Sequence, residues 1–264
     1  MINEEHYYDA NNKVLTQSKL KDYMKCPNYF YRKHILGEVE NVSTPAMKTG
    51  SVVDEILTED QIDKKYAIGK LNTKEGKALK EEGYEVISQL RYDEIWGLSL
   101  AVSETTAYKD MKKFQGQTII CVAEDVGPHF QFLGGKLDFK FQIVKRGGII
   151  ICTLRDLKTA QTVNKRKYFY HAKDLGYFFQ AAYYQKIMLA IHPEIDEFVF
   201  QHIVVGKIKD IYPVKCYTLP QRLIEQEYDE IDRLIYEIAN ETEFPKADAT
   251  WEGAEELDIQ DKFE

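Results

Sequence analysis

The sequence predicts an α/β (α+β) domain in which a central mixed sheet is flanked by helices. The segment from about residue 16 to 114 is rich in the helix-forming residues Ala, Leu, Glu and Lys. In the segment from about 117 to 242, short apolar runs alternate with helical segments. No repeat, low-complexity block or Pro/Gly/Ser linker interrupts the 264 residues. We therefore expect one domain over 1–264, with a helical N-terminal part and a sheet-containing core.

Helices account for most of the first part. Thr16-Gln17-Ser18 has the composition of a helix start, and apolar residues recur at helical spacing from Leu20 to Phe30. A second helix is predicted over about 50–58. Two or three more are predicted over 73–114, where strong helix formers dominate.

Strand-like runs begin after Gln117. They are predicted at 118–123, at 129–132 and 136–143 around a turn or bulge at Gly134-Gly135, and at 149–156 after a turn at Gly147-Gly148. An amphipathic helix is predicted over 174–190, strands over 197–205 and 212–219, and a last helix from Pro220 to about Asn240.

Composition and charge narrow the function only slightly. Hydrophobic residues make up 44% and charged residues 30%, which is typical of a globular protein. A net charge of −8 weighs against a nucleic-acid partner without excluding one, because binding uses a local patch and a metal-dependent site needs acids. The polar N-terminus and the lack of a long apolar run predict a cytoplasmic protein without a membrane partner.

Two carboxylates and one lysine form the clearest chemical pattern. Asp138 follows a glycine pair, and Asp156 stands two residues before Lys158, so the latter two share a strand face. If the two strands pair across Gly147-Gly148, Asp138 can lie close to Asp156. Carboxylates are the hard ligands that Mg²⁺ or Mn²⁺ prefers, and an ammonium can stabilise charge on a reacting phosphate. Each motif alone is common on protein surfaces; their order on adjacent predicted strands is more specific.

Several motifs in this order resemble the PD-(D/E)xK nuclease superfamily, and more narrowly the RecE-type (exonuclease VIII-like) exonucleases of phages and prophages. They are GKLD at 135–138, LRDLKT at 154–159, QAAYY at 180–184, LTQSKLKDY at 15–23 with Cys26-Pro27, TGSVVDE at 49–55 and NTKEGK at 72–77. The resemblance implies a restriction-endonuclease-like core, with Asp138 and Asp156 as metal ligands and Lys158 as the catalytic lysine. It also implies that Gln180 and Tyr184 support the site from one helix face.

Alternatives remain open at two of these positions. Tyr184, together with Phe179 and Tyr183, could simply pack in the core, and for Tyr183 core packing is the preferred interpretation. Asp54 stands where the family usually has His; it is either a third ligand for the metal or an acid on a helix surface.

The positions of the cysteines do not predict an iron–sulfur cluster. Cys26 matches the early position of the iron–sulfur cluster ligands in some relatives, but Cys216 is the only cysteine after Cys152. We therefore expect Mg²⁺, with Mn²⁺ as a possible substitute, and no iron–sulfur cluster. Cys121 and Cys152 stand in apolar runs and are expected to be buried.

By resemblance, the expected activity is hydrolysis of phosphodiester bonds from the ends of linear double-stranded DNA, 5′ to 3′, in recombination. A ring-shaped homo-oligomer and a single-strand annealing protein as partner are implied in the same way. The alternatives are an endonuclease or structure-specific nuclease of the same fold, and a DNA-binding protein that keeps the fold without catalysis.

The candidate DNA contacts are a basic run, Lys165, Arg166 and Lys167, with Tyr168 or Phe169 stacking on a base. A solvated loop of cations is the alternative interpretation. Lysines on the first helix are further candidates for a DNA channel, and no histidine has the spacing of a metal ligand.

Overall fold

The computed structural model describes residues 13–40, 44–59, 66–70, 72–111, 118–124 and 126–241. The strands are β1 Val14–Leu15, β2 Tyr66–Ile68, β3 Glu85–Ile87, β4 Thr118–Ala123, β5 Phe132–Leu137, β6 Gln142–Arg146, β7 Ile149–Ala160, β8 Glu197–Gly206 and β9 Val214–Thr218. The helices are α1 Gln17–Lys25, α2 Pro27–Phe30, α3 Pro45–Glu59, α4 Lys74–Glu81, α5 Gln89–Ser103, α6 Thr106–Met111, α7 Lys165–Asp174, α8 Tyr177–Ile191, α9 Gln221–Glu225 and α10 Tyr228–Asn240, with a π-helical segment at Tyr31–Ile35.

A four-stranded mixed sheet in the order β6-β7-β8-β9 confirms the predicted fold class. β7 pairs antiparallel with β6 and parallel with β8, and β9 closes the sheet antiparallel to β8. The parallel pair is possible because α7 and α8 return the chain between β7 and β8. A separate three-stranded sheet has the order β1-β5-β4. The site is built where these two sheets approach each other.

The helix α8 forms the centre of the larger core. Its residues are buried on nearly every face, including Phe179, Ala182 and Tyr183. The prediction of an amphipathic helix over 174–190 is therefore wrong in both pattern and start. Asp174 ends α7, and Gly176, with φ of 62°, turns the chain into α8. A helix enclosed by other elements on all sides has no polar face; Tyr183, fully buried, confirms its core assignment.

The predicted turn at Gly134-Gly135 is wrong, because both residues lie inside β5 and pair with Cys121 and Ile120 of β4. Close packing, rather than turn geometry, accounts for the second glycine. A Cβ at Gly135 would lie 2.5 Å from Cε1 of Tyr184, so no larger residue fits against that ring. The predicted strand 136–143 is split between β5 and β6, since the chain crosses there from one sheet to the other.

Other boundaries follow local signals. Thr16 caps α1 as predicted, its hydroxyl accepting a hydrogen bond from the Lys19 amide at 3.4 Å, and Pro27 marks a new start after Lys25. The second helix begins earlier than predicted, at Pro45, and the last one is divided into α9 and α10. Within 73–111, the part of the region 73–114 that the structure describes, there are three helices, α4 to α6, which is within the expected number.

Two further expectations concern cysteines and membranes. Cys121 and Cys152 are buried, as predicted, whereas Cys26 and Cys216 are exposed. No helix among the described residues is both long and apolar enough to cross a bilayer. The single-domain organisation stays a prediction.

Candidate active site

A cleft of about 410 Å³ contains Asp138, Asp156 and Lys158 among its lining residues. Asp156 and Lys158 lie inside β7, which continues past the predicted end to Ala160. Asp138 is the residue immediately after β5. The Gly147-Gly148 hairpin pairs β7 with β6, which includes residues 142 and 143 of the predicted strand 136–143; Asp138 lies outside this pair of strands.

Asp138 instead reaches β7 from the other sheet. Its Oδ2 accepts a hydrogen bond from the backbone N–H of Leu157, at 2.8 Å. Leu157 is the residue between Asp156 and Lys158, so this single bond places the carboxylate of Asp138 beside both of them.

Lys158 is held as a cation inside the cleft. Its Nζ forms an ion pair with Oδ2 of Asp156 and lies 4.6 Å from the ring centroid of Tyr177. Although burial opposes its charge, the carboxylates of Asp156 and Asp138 raise the pKa of Lys158 above its usual value. The side chain therefore stays protonated and can donate hydrogen bonds to an anion, but it cannot act as a base near neutral pH.

For Asp138 the surroundings favour the neutral form of the side chain. Burial, followed by the charges of Asp156 and Asp54, raises the pKa of Asp138 well above its usual value. Asp54 belongs to α3 and lines the same cleft. The negative charges of three carboxylates thus act on one another in this cleft, an arrangement that a bound cation would stabilise.

Gln180 and Tyr184 connect the two carboxylate-bearing strands. Nε2 of Gln180 donates to Oδ1 of Asp156 at 3.3 Å and to the hydroxyl of Tyr184 at 3.4 Å. That hydroxyl in turn donates to the carbonyl oxygen of Lys136 in β5, at 3.1 Å. Burial, and then the charge of Asp156, raises the pKa of Tyr184, so its hydroxyl stays a donor. Tyr184 also packs in the hydrophobic core, so core packing and these polar contacts occur together.

The donor set suits a hard divalent cation. Among the described residues, no three His, Cys, Asp or Glu side chains stand close enough together to enclose a metal ion without moving. The carboxylate oxygens already contacted by Lys158, Leu157 and Gln180 each keep a second lone pair. Asp138 and Asp156, with Asp54 across the cleft, would therefore hold Mg²⁺ or Mn²⁺ after side-chain rotation.

A family model described as "PDDEXK-like domain of unknown function (DUF3799)" matches residues 16–249. The chain belongs to this family. Among solved structures, one described as a "putative exonuclease" from Eubacterium rectale is similar, with a TM-score of 0.63 and 17% identity over 91% of this chain and 87% of that chain. At that identity the likeness shows a shared fold. No curated protein matches the sequence at a significant level.

In this PDDEXK-like domain, sequence reasoning missed Tyr177 as a neighbour of the site, and it named Lys21 only among the first-helix lysines that are candidates for a DNA channel. Tyr177 could have been found, because 177, 180 and 184 share one face of a helix. Lys21 donates from Nζ to the carbonyl oxygen of Leu175 at 2.9 Å, at the end of α7. Burial, and then the charge of Lys158, lowers the pKa of Lys21 to about 8. Nothing in the pattern distinguishes it from the other lysines of α1.

His202 was also missed, because only the β7–β8 register places it opposite Asp156. It is fully buried, and its Nδ1 is 2.8 Å from the hydroxyl of Tyr168. Burial lowers the pKa of His202 to about 3, so the ring is neutral. Because its ring is neutral, His202 adds no charge beside Asp156 in the PDDEXK-like site.

The basic run Lys165, Arg166 and Lys167 lies outside the active-site cleft, in the exposed first turn of α7. Asn164 caps this helix, its Oδ1 accepting from the amide of Lys167 at 3.2 Å, so the run is helical and not a loop. Its three side chains are exposed, as the alternative of solvated cations expects, and their contact with DNA stays a prediction. Tyr168 is 3% exposed and packs on Tyr217, which removes it as a base-stacking residue. Phe169 remains 37% exposed.

Proposed function

We propose that the protein is a Mg²⁺-dependent deoxyribonuclease that hydrolyses phosphodiester bonds from the ends of linear double-stranded DNA, 5′ to 3′. The observation that carries this proposal is the convergence of Asp138, Asp156 and Lys158 in one cleft, with Gln180 bonded to Asp156. Membership of a PDDEXK-like family supports nuclease chemistry. The resemblance to RecE-type exonucleases supports DNA ends, the 5′ to 3′ direction and a role in recombination.

Each residue has a distinct task in the proposed reaction. Asp138 and Asp156 would hold Mg²⁺, or Mn²⁺ in its place, and Asp54 would complete the carboxylate set. When bound, such an ion polarises the phosphodiester and lowers the pKa of a coordinated water. Lys158 would donate hydrogen bonds to a phosphate oxygen and stabilise the negative charge that develops on it.

Gln180 and Tyr184 act as positioning residues. The amide of Gln180 fixes one oxygen of Asp156, and the hydroxyl of Tyr184 ties that amide to β5, two residues before Asp138. The two carboxylates are thereby kept in a fixed relation while a DNA strand binds. A homo-oligomeric ring and a single-strand annealing partner are part of the same proposal, on the resemblance alone.

End-labelled linear duplex DNA tests the proposal directly. The wild type should release label with Mg²⁺ and not with EDTA, and Lys158→Ala should lower the rate by two or more orders of magnitude. The released product identifies the direction of degradation. A covalently closed circle of the same sequence should remain intact.

The other outcomes separate the rivals. Cleavage of the closed circle would identify an endonuclease on the same site. A folded wild type that binds duplex DNA but cuts neither substrate with Mg²⁺ or Mn²⁺ would identify a binding protein. Equal rates for the wild type and Lys158→Ala would place the chemistry elsewhere.

A further inference from the structure

A second cavity of about 570 Å³ lies beside the start of α7, where β9 leads into α9. We call it the aromatic cavity. Its walls include the rings of Phe169, Tyr170, Phe178 and Tyr217. Lys165 and Arg166 also line it, and none of the described lining residues is an Asp or Glu. In a chain of net charge −8, this is a locally basic and aromatic surface.

The rings leave open surface for a planar ligand. Phe169 is 37% and Tyr170 53% exposed, and both rings line the same cavity. Their rings are nearly perpendicular, with centroids 5.6 Å apart, and Phe169 also contacts Phe178 with centroids 5.8 Å apart. Rings in this arrangement expose both faces and edges, against which the flat ring of a ligand can pack.

The aromatic cavity and the active-site cleft share one wall. α7 contributes Phe169 and Ala172 to the cavity and His171 to the cleft, and Leu175, the residue after α7, also lines the cleft. A helix with its side chains is about 10–12 Å across, so the two sites lie within reach of a few successive nucleotides at roughly 3.4 Å each.

We propose that the aromatic cavity binds unpaired nucleotides at the end of a DNA strand, with bases against Phe169 and phosphates on Lys165 and Arg166. The proposal rests on the proposed function, whose substrate it specifies as a duplex with a frayed or overhanging end. Bases stack on aromatic rings whatever their sequence, and cations at the rim hold the backbone. The cavity has the volume of a small-ligand site, with room for one or two nucleotides.

Binding in EDTA tests the inference without requiring chemistry. Fluorescence anisotropy would compare a blunt duplex, duplexes with three-nucleotide 5′ or 3′ overhangs, and the same overhangs made abasic. The wild type should bind one overhang roughly tenfold tighter than the blunt end. Phe169→Ala should abolish that preference, whereas Tyr236→Ala, which removes a 70% exposed ring on α10, should preserve it.

Combining the abasic overhang with the Phe169→Ala variant tests whether the base itself contacts Phe169. The abasic overhang should weaken binding by the wild type as much as Phe169→Ala does, and should cost the variant nothing further. Lys165→Ala and Arg166→Ala should weaken intact and abasic overhangs alike and reduce the salt dependence, which Lys145→Ala on β6 should not.

Two results overturn the inference: equal binding of blunt and overhanging ends by the wild type, or an equal loss on every substrate with Phe169→Ala. Either result in a protein that still degrades linear DNA leaves the proposed function intact. Conversely, a protein without nuclease activity can still show the Phe169-dependent preference, which would support the aromatic cavity alone.

Discussion

Asp138 and Leu157 are joined by a hydrogen bond of 2.8 Å from the backbone N–H of Leu157 to the carboxylate of Asp138. The bond crosses from the end of β5 to the middle of β7, which belong to different sheets. The carboxylate of Asp138 is therefore held at the backbone of the residue that follows Asp156, the other candidate ligand. Four measurements follow from this arrangement and its surroundings.

Asp138→Asn should separate metal binding from folding. The amide keeps the shape and can still accept from Leu157, while it removes a charge that Asp156 and Asp54 oppose. In EDTA the variant should melt at the same temperature as the wild type or higher. Saturating Mg²⁺ should stabilise the wild type, by about 2.7 kcal/mol at a hundred times Kd, and leave the variant unchanged. An equal response of both proteins to Mg²⁺ would argue against Asp138 as a ligand.

Asp54 should tolerate replacement by His, the residue that the resemblance to RecE-type exonucleases implies at this position. Because imidazole and carboxylate can both bind a divalent cation, Asp54→His should retain Mg²⁺-dependent cleavage, whereas Asp54→Ala should need on the order of tenfold more Mg²⁺ for half-maximal rate. Glu55→Ala, one position along the same helix, serves as the matched control. Unchanged Mg²⁺ dependence in Asp54→Ala would make Asp54 a helix-surface acid.

Gly135→Ala should destabilise the fold and the site together. The new methyl group would lie 2.5 Å from the ring of Tyr184, and overpacking of this kind costs about 1–3 kcal/mol. Gly50→Ala is the control: its Cβ would lie 3.4 Å from Thr159, and in a helix alanine should stabilise by about 0.5–1 kcal/mol. Urea unfolding measures both. Equal stability of Gly135→Ala and the wild type would mean that the ring moves aside easily.

Asp22 should contribute stability that disappears in acid. Although burial opposes its ionisation, hydrogen bonds from Lys33 and His34, both 2.9 Å, hold the pKa of Asp22 below its usual 3.8. A lowered carboxylate pKa stabilises the fold above pH 3.8, and the contribution is lost as the pH falls below that value.

Asp22→Asn should therefore cost about 1 kcal/mol in urea unfolding at pH 7 and progressively less toward pH 3. Asp93→Asn is the control, because the carboxylate of Asp93 accepts an exposed hydrogen bond from Gln89. This variant should change the free energy of unfolding little at either pH. The prediction fails if the loss with Asp22→Asn is the same at pH 3 as at pH 7.

Local patterns predicted the chemistry better than the topology. The spacing of Asp156 and Lys158 fixed their common strand face, because side chains of a strand alternate whatever its partners are. The strand partners are not encoded locally, and so the predicted strand 136–143 joined residues that belong to two different sheets. The end of β7 was placed too early because polar residues of the site replace the apolar pattern there, as is common where function overrides folding rules.

Glycine was the other source of error. A glycine pair between apolar runs indicates a turn in most sequences, yet Gly135 is required by the approach of Tyr184, which is 49 residues away along the chain. In the same way, the opposition of Asp156 and His202 depends on a strand register that no local window contains. Such contacts between distant residues are what the structure adds to the sequence.

Strand β7 has a consequence for motion. It pairs along ten residues with β8, from Ile151 to Ala160, so its amides should exchange with solvent only when the domain unfolds extensively. The backbones of Asp156 and Lys158 should then keep one mutual position over the microseconds to milliseconds in which clefts open and products leave. We therefore expect the motions that let a DNA strand enter and leave the cleft to occur in α3 and α7, the helices that line it, while β7 stays in place.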